Sequence, residues 1–229
     1  MKIKILLISL CALFLFSQKS FSQTSTPAKF QSWNEVQIIV PLKQEKDSKG
    51  KTIDKVTATF TGILRIGRKN WDFLDNRYSV TFDFRVNKFL SLMTAVLYRK
   101  DELVVNRRNY ETRLDFGFVL SKTFRKITFK DRNMYEHRFR NSRADTNLYR
   151  NRLNVSYPIK YKEKEIFSPF VSEEGYLDLK THKWAQKEFF AGITRKLTPK
   201  ISLDLAYIRN DSSPTNVNGF STSLKIKLR

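Results

Sequence analysis

The sequence predicts an all-β fold, a single closed antiparallel up-and-down β-barrel of the outer-membrane type with 10 or 12 strands. Three observations carry this. Apolar and polar residues alternate with period two in segment after segment, which puts each set on its own face of a strand, whereas a helix would scatter both. Beyond residue 22 no apolar run reaches the roughly 20 residues of a transmembrane helix. The apolar set is also bulky, drawing on 19 Phe and 9 Tyr in 229 residues. Only helices and closed barrels satisfy their backbone groups in lipid, so a membrane protein with this sequence has to be a barrel.

The chain opens with a targeting signal. Residues 1–22 read as a secretory signal peptide: Lys2 and Lys4 form the charged region and Ile5 to Phe16 the apolar region. Ser20 and Ser22 are the small residues before cleavage at Gln23. A region of twelve residues is too short to span a bilayer. Cys11, the only cysteine, follows Leu10 inside the apolar region, so neither a lipoprotein anchor nor a disulfide framework is expected. Loss of Lys2, Lys4 and Lys19 lowers the formal charge from +21 to +18. Residues 23–32 form a short N-terminal extension, and 33–229 form the barrel domain.

The strands follow in order. Val36, Ile38, Val40 and Leu42 make the first apolar face, within 35–43. Ala58, Phe60, Leu64 and Ile66 make the second, opposite Thr57, Thr59, Thr61 and Arg65. From Tyr78 to Val86 the alternation is unbroken, with Ser79, Thr81, Asp83 and Arg85 on the other face. Tyr110, Leu114, Phe116, Phe118 and Leu120 oppose Glu111, Arg113 and Asp115. Leu153, Val155, Tyr157 and Ile159 oppose Arg150, Arg152, Asn154 and Ser156. Ile201 to Tyr207 and Phe220 to Leu228 close the series, with Asp204, Lys225 and Lys227 on their polar faces. Less regular segments at 89–98, 127–140, 166–179 and 185–195 bring the candidates to eleven.

Strands of about ten residues suit a barrel crossing a membrane. Asn87–Lys88, Lys122–Lys126, Lys160–Glu165 and Lys196–Lys200 are expected as short turns. Gly67–Arg77, Arg99–Asn109, Asn141–Asn147 and Asn210–Gly219 are expected as longer loops, and Thr181–Lys183 is a short exception among them. Bacterial single-chain barrels have even strand numbers. Eleven candidates therefore imply that 35–43 lies outside the wall, giving ten, or that a twelfth strand is hidden. A soluble sandwich or small barrel would show the same alternation, but its interior is too narrow for Phe and Tyr from every strand.

With the apolar set on lipid, the charged set lines the lumen. Each Arg or Lys turned outward at the bilayer midplane would cost about 2–4 kcal/mol. The densest group is Glu136, Arg138 and Arg140 on one strand face, Arg150 and Arg152 on the next, and Glu174 on the following strand, within reach across the ladder. Such a group fills a lumen as an Arg–carboxylate ladder, or leaves a basic passage or pocket that favours small anionic solutes.

Glu136-His137-Arg138, Arg150-Asn151-Arg152-Leu153, Pro169-Phe170 with Glu174, and Phe190-Ala191-Gly192-Ile193 resemble an uncharacterised bacterial family, domain of unknown function 2490. Trp33 and the closing strand ending at Leu228 fit the resemblance, which spans 33–228. It implies an outer-membrane-type β-barrel and supplies no activity. The family pattern often has Arg four residues before the glycine, where this chain has Glu188.

Little in the sequence points to catalysis. A hydrolase needs a nucleophile activated by a base, and only His137 and His182 are available. No Ser sits in a G-x-S-x-G elbow, and no Gly-rich phosphate loop or metal-ligand spacing occurs. Glu173 and Glu174 fall on opposite faces of a strand and cannot act as a pair. No cofactor, metal or enzymatic activity is expected. Basic residues are spread over every strand, so nucleic acid is not an expected partner. Outer-membrane lipids are, with Arg68, Lys69, Arg107, Arg108 and Arg143 as candidate contacts. The three readings of function are a channel or binding barrel with a basic lumen, a closed structural or interaction barrel, and a lipid-modifying enzyme. All three place the protein in the outer membrane of a Gram-negative cell.

Overall fold

The computed structural model describes residues 29–228 apart from 49, 68–71, 105–106, 163 and 213–214. The expected signal peptide and residues 23–28 lie outside the described residues, as do Arg68 and Lys69.

Alternation produces the strands expected of it, and all but the short β8 run longer than ten residues. In chain order they are β1 (Lys29–Lys46), β2 (Thr52–Gly67), β3 (Asp72–Arg85), β4 (Leu90–Val104), β5 (Arg107–Phe124) and β6 (Ile127–Arg140). There follow β7 (Thr146–Ser156), β8 (Ile159–Tyr161), β9 (Lys164–Asp178), β10 (Lys183–Lys196), β11 (Ile201–Ser212) and β12 (Thr215–Lys227). Neighbours pair in sequence around the sheet, and β10 pairs with β9 to close it. The wall therefore holds eleven strands, with β8 outside it on the edge of β9.

The count of ten or twelve is corrected here, and so is the purely antiparallel wall. The segment 35–43, which the count of ten would put outside the wall, is part of β1, bonded on both edges. It runs antiparallel to β2, and parallel to β12 from Lys29↔Val217 to Ile39↔Lys227. An even number follows only when every neighbour is antiparallel; one parallel seam makes the number odd and puts the start of β1 and the end of β12 at opposite rims. Close approach at the seam requires glycine at 219, where a Cβ would sit 1.9 Å from the Gln31 carbonyl oxygen.

Three of the four expected long loops are also corrected. Most of Gly67–Arg77, Arg99–Asn109 and Asn210–Gly219 is strand. Polar residues fall on both faces of these stretches, which breaks the alternation, and ladder hydrogen bonds form regardless of side-chain polarity. Asn109 Nδ2 donates to Asp101 Oδ1 at 3.0 Å across one of these hairpins. Conversely, β7 ends at Ser156, and Tyr157 and Ile159 leave the wall. Lys29–Ser32, expected in the extension, belong to β1. Arg107 and Arg108 open β5, with Arg108 Nε 3.8 Å from Glu102; Arg143 lies in the connection 141–145.

Side-chain direction follows parity. Tyr78, Phe82, Phe84, Leu92, Val96, Phe116, Leu205 and Phe220 stand exposed on the outer wall, while the buried residues are mostly polar or charged and face the lumen. The outer wall departs from apolar on β6, β7 and β9. There Asn151 Nδ2 donates to Asp131 Oδ1 at 2.7 Å and to Asn133 Oδ1 at 3.0 Å, and Glu173 is exposed.

Candidate functional site: an arginine–carboxylate plug

Parity places Glu111, Arg113 and Asp115 of β5 opposite Arg140, Arg138 and Glu136 of β6, all inward. Arg150 and Arg152 of β7 face Tyr176 and Glu174 of β9, and Glu174 faces Glu188 of β10. The six residues expected to gather do so, and the group is larger than they are.

Two carboxylates are its nodes, Glu136 and Glu174, each 0% exposed. Glu136 accepts from Arg138 Nε at 2.5 Å, from Arg113 Nη1 at 3.4 Å and from Arg150 Nη1. Glu174 accepts from Arg132 Nη2 at 2.8 Å, Arg150 Nη2 at 2.9 Å and Arg152 Nε at 2.7 Å. Arg150 thus bridges both nodes, its guanidinium 4.7 Å from the Tyr176 ring centroid. Arg113 Nε continues the chain to Glu111 at 2.6 Å, and Arg140 Nε caps it at 2.8 Å. Two desolvated carboxylates, each with three guanidinium donors, form a network in which every member depends on the others.

A second node faces it across the lumen. Asp75 lies 2.9 Å from Arg77 Nε, 3.1 Å from Arg99 Nη2 and 3.9 Å from Arg65 Nε, and Arg99 also reaches Asp101 at 3.3 Å. Aromatic rings join the two halves. Arg65 lies 3.3 Å from the centroid of Trp33, Trp33 meets Phe190 edge-on at 6.0 Å, and Arg152 lies 5.0 Å from Phe190. Trp33 on β1 and Phe190 on β10 touch although β11 and β12 lie between their strands. Ala206 and Ser221, the residues level with Trp33, are small and leave room for its ring to reach Phe190, whose own partner on β11 is Ile208.

This assembly occupies the half of the lumen nearer the rim where β1 begins. Nine arginines (65, 77, 99, 113, 132, 138, 140, 150, 152) meet seven carboxylates (75, 101, 111, 115, 136, 174, 188). The expected excess of lumen cations is thereby much reduced. Asp75, Asp101 and Glu188 are not among the lumen charges that alternation points to. Asp75 and Asp101 sit in stretches read as loops, and Glu188 in an irregular strand. Glu188 lies 3.8 Å from Arg152 Nη2. Nearer the other rim the inward charges are sparser: Lys225 Nζ pairs with Asp204 at 2.6 Å and Lys227 Nζ with Asp54 at 2.6 Å.

The histidines stand apart. His137 is on the outer face, its Nδ1 2.5 Å from Asn147 Oδ1 and its ring against Phe139. His182 is exposed in the β9–β10 turn at φ 55°. At the end of β9, Asp178 accepts from the backbone N–H groups of Lys180 and Thr181 in that turn.

The sequence matches the family described as Protein of unknown function (DUF2490) over residues 30–219. The chain belongs to that family. Its fold is similar to LpxR from Salmonella typhimurium, with 9% identity, a TM-score of 0.50, and coverage of 81% of this chain and 86% of that one. It also aligns with the NanC porin (12% identity, TM-score 0.48, 87% and 99% covered). A third alignment is with the anion-selective porin from Comamonas acidovorans (12% identity, TM-score 0.37, 79% and 58% covered). At these identities the likeness to LpxR speaks for the fold alone. No curated protein matches the sequence. The family description supplies no activity, and the likeness to LpxR supports a closed β-barrel fold.

Proposed function

We propose that this protein is an outer-membrane β-barrel whose lumen is closed by the plug, so that it serves as a structural and interaction barrel and not as a passive pore. The carrying observation is that Glu136 and Glu174, which would line a water-filled channel, are fully buried and saturated by arginine. Lipid is the partner of the outer wall. Exposed Tyr78, Tyr98, Tyr110, Tyr135 and Tyr207 lie toward one rim, and exposed Phe89, Phe124, Phe129 and Tyr161 toward the other. Aliphatic Val80, Val96, Leu114 and Leu205 fall between them, the banding of a membrane barrel. No catalytic role belongs to this reading, because both histidines lie away from the plug.

The test is fractionation of the exported protein, then solute flux from liposomes that hold it folded. The protein should partition with outer membranes, migrate differently when unheated, and release no entrapped sugar acid. Release at a rate proportional to protein content would refute closure.

A further inference from the structure

The plug has two surfaces, and the one facing the rim where β12 ends is unfinished. Here the inward residues of β6, β7 and β9 form two adjacent rows. Lys130, Asn154 and Ser172 are consecutive cross-strand partners in one row, and Arg132, Arg152 and Glu174 in the next. Cross-strand partners lie about 5 Å apart and successive inward residues about 7 Å. The six therefore make one contiguous surface.

Its charge is unbalanced. Glu174 lies beneath, already engaged, whereas the side chains of Arg132 and Arg152 keep 26% and 31% of their surface toward the lumen. Lys130 is exposed and makes no ion pair or hydrogen bond among the described residues. Asp83 and Asp204 are the carboxylates nearest it across the lumen, but neither comes within 4.0 Å. Two buried polar atoms at the same place lack partners: Ser172 Oγ, in a residue 4% exposed, and Arg132 Nε. Buried polar groups nearly always find a partner, so an orphaned hydroxyl beside three cations marks an unfilled acceptor position.

We propose that this surface is a blind binding site for the oxyanion group, phosphate or carboxylate, of a small water-soluble solute entering from the rim where β12 ends. Lys130, Arg132 and Arg152 supply charge, and Asn154 and Ser172 supply neutral donors. The lumen is out of reach of bilayer lipid, so the ligand is a solute and not a headgroup. The site takes the plug as its floor but does not depend on complete closure. A barrel that leaked and still bound would refute the pore-closing role alone.

Isothermal titration of the folded protein in detergent micelles, with inorganic phosphate and separately with acetate, tests it. The expected result is saturable binding of at least one of them, one per barrel. Lys130→Gln should weaken it at least tenfold and Ser172→Ala several-fold, both with unchanged heat-modifiable mobility. Lys88→Gln, on an outer turn, should leave it unchanged. Neither substitution removes a partner of another residue, so both variants should fold. No saturable heat with either probe, or wild-type binding in both variants, would overturn the assignment.

Discussion

Glu174→Gln is the substitution that asks most of the plug. The side chain is 0% exposed and accepts from Arg132, Arg150 and Arg152 at 2.7 to 2.9 Å. The amide keeps the volume and loses the charge, and its NH2 group is turned against guanidinium donors. Removing one partner from a buried ionic cluster costs about 3–5 kcal/mol, because the remaining charges stay buried without compensation. With a denaturant slope of about 2 kcal/mol per molar, the urea midpoint in lipid vesicles should fall by roughly 2 M. Glu173→Gln is the control one residue away. That side chain is exposed on the outer face, and its loss should change stability by no more than about 0.5 kcal/mol. Equal effects of the two substitutions, or a loss under about 1 kcal/mol at Glu174, would refute the argument from parity and burial.

Further outcomes follow from the same geometry. Arg150 bonds both Glu136 and Glu174, so a double-mutant cycle on the two carboxylates should show coupling of about 0.5–3 kcal/mol in urea titrations. Gly219→Ala should prevent barrel closure, since its Cβ would fall 1.9 Å from Gln31 O; electrophoresis should then show no heat-modifiable band. Asn34 and Thr222 are direct partners at the parallel seam. Cysteines at 34 and 222 should join on oxidation, whereas 34 and 226, about 13 Å out of register, should not.

The fold was readable where one face is apolar and the other is not. Tyr78 to Val86 shows every residue's direction in the sequence alone, and the structure follows it. Strands with polar residues on both faces leave no such pattern. Asp75 and Asp101 lie in strands whose outward neighbours include Asn76 and Lys100, so the alternation that would reveal a strand is absent. Those acids complete the second node, which made the lumen seem more cationic than it is. The parallel seam was hidden for a different reason. Strand direction relative to a partner 188 residues away, as at Glu35 and Ser223, leaves no local trace in composition. The plug residues themselves were legible, because charge at every second position of consecutive strands can point only inward in a membrane barrel. The roles of Trp33 and Phe190 were not. Their contact across two intervening strands depends on the small residues Ala206 and Ser221, and periodicity does not report size.

The most direct test of the plug is ionic current through the folded wild-type protein in a planar bilayer under a salt gradient. A barrel closed by Glu136, Glu174 and their arginines should pass no steady current at moderate voltage. Stable ohmic steps with a reversal potential favouring anions would contradict it and show a continuous basic passage.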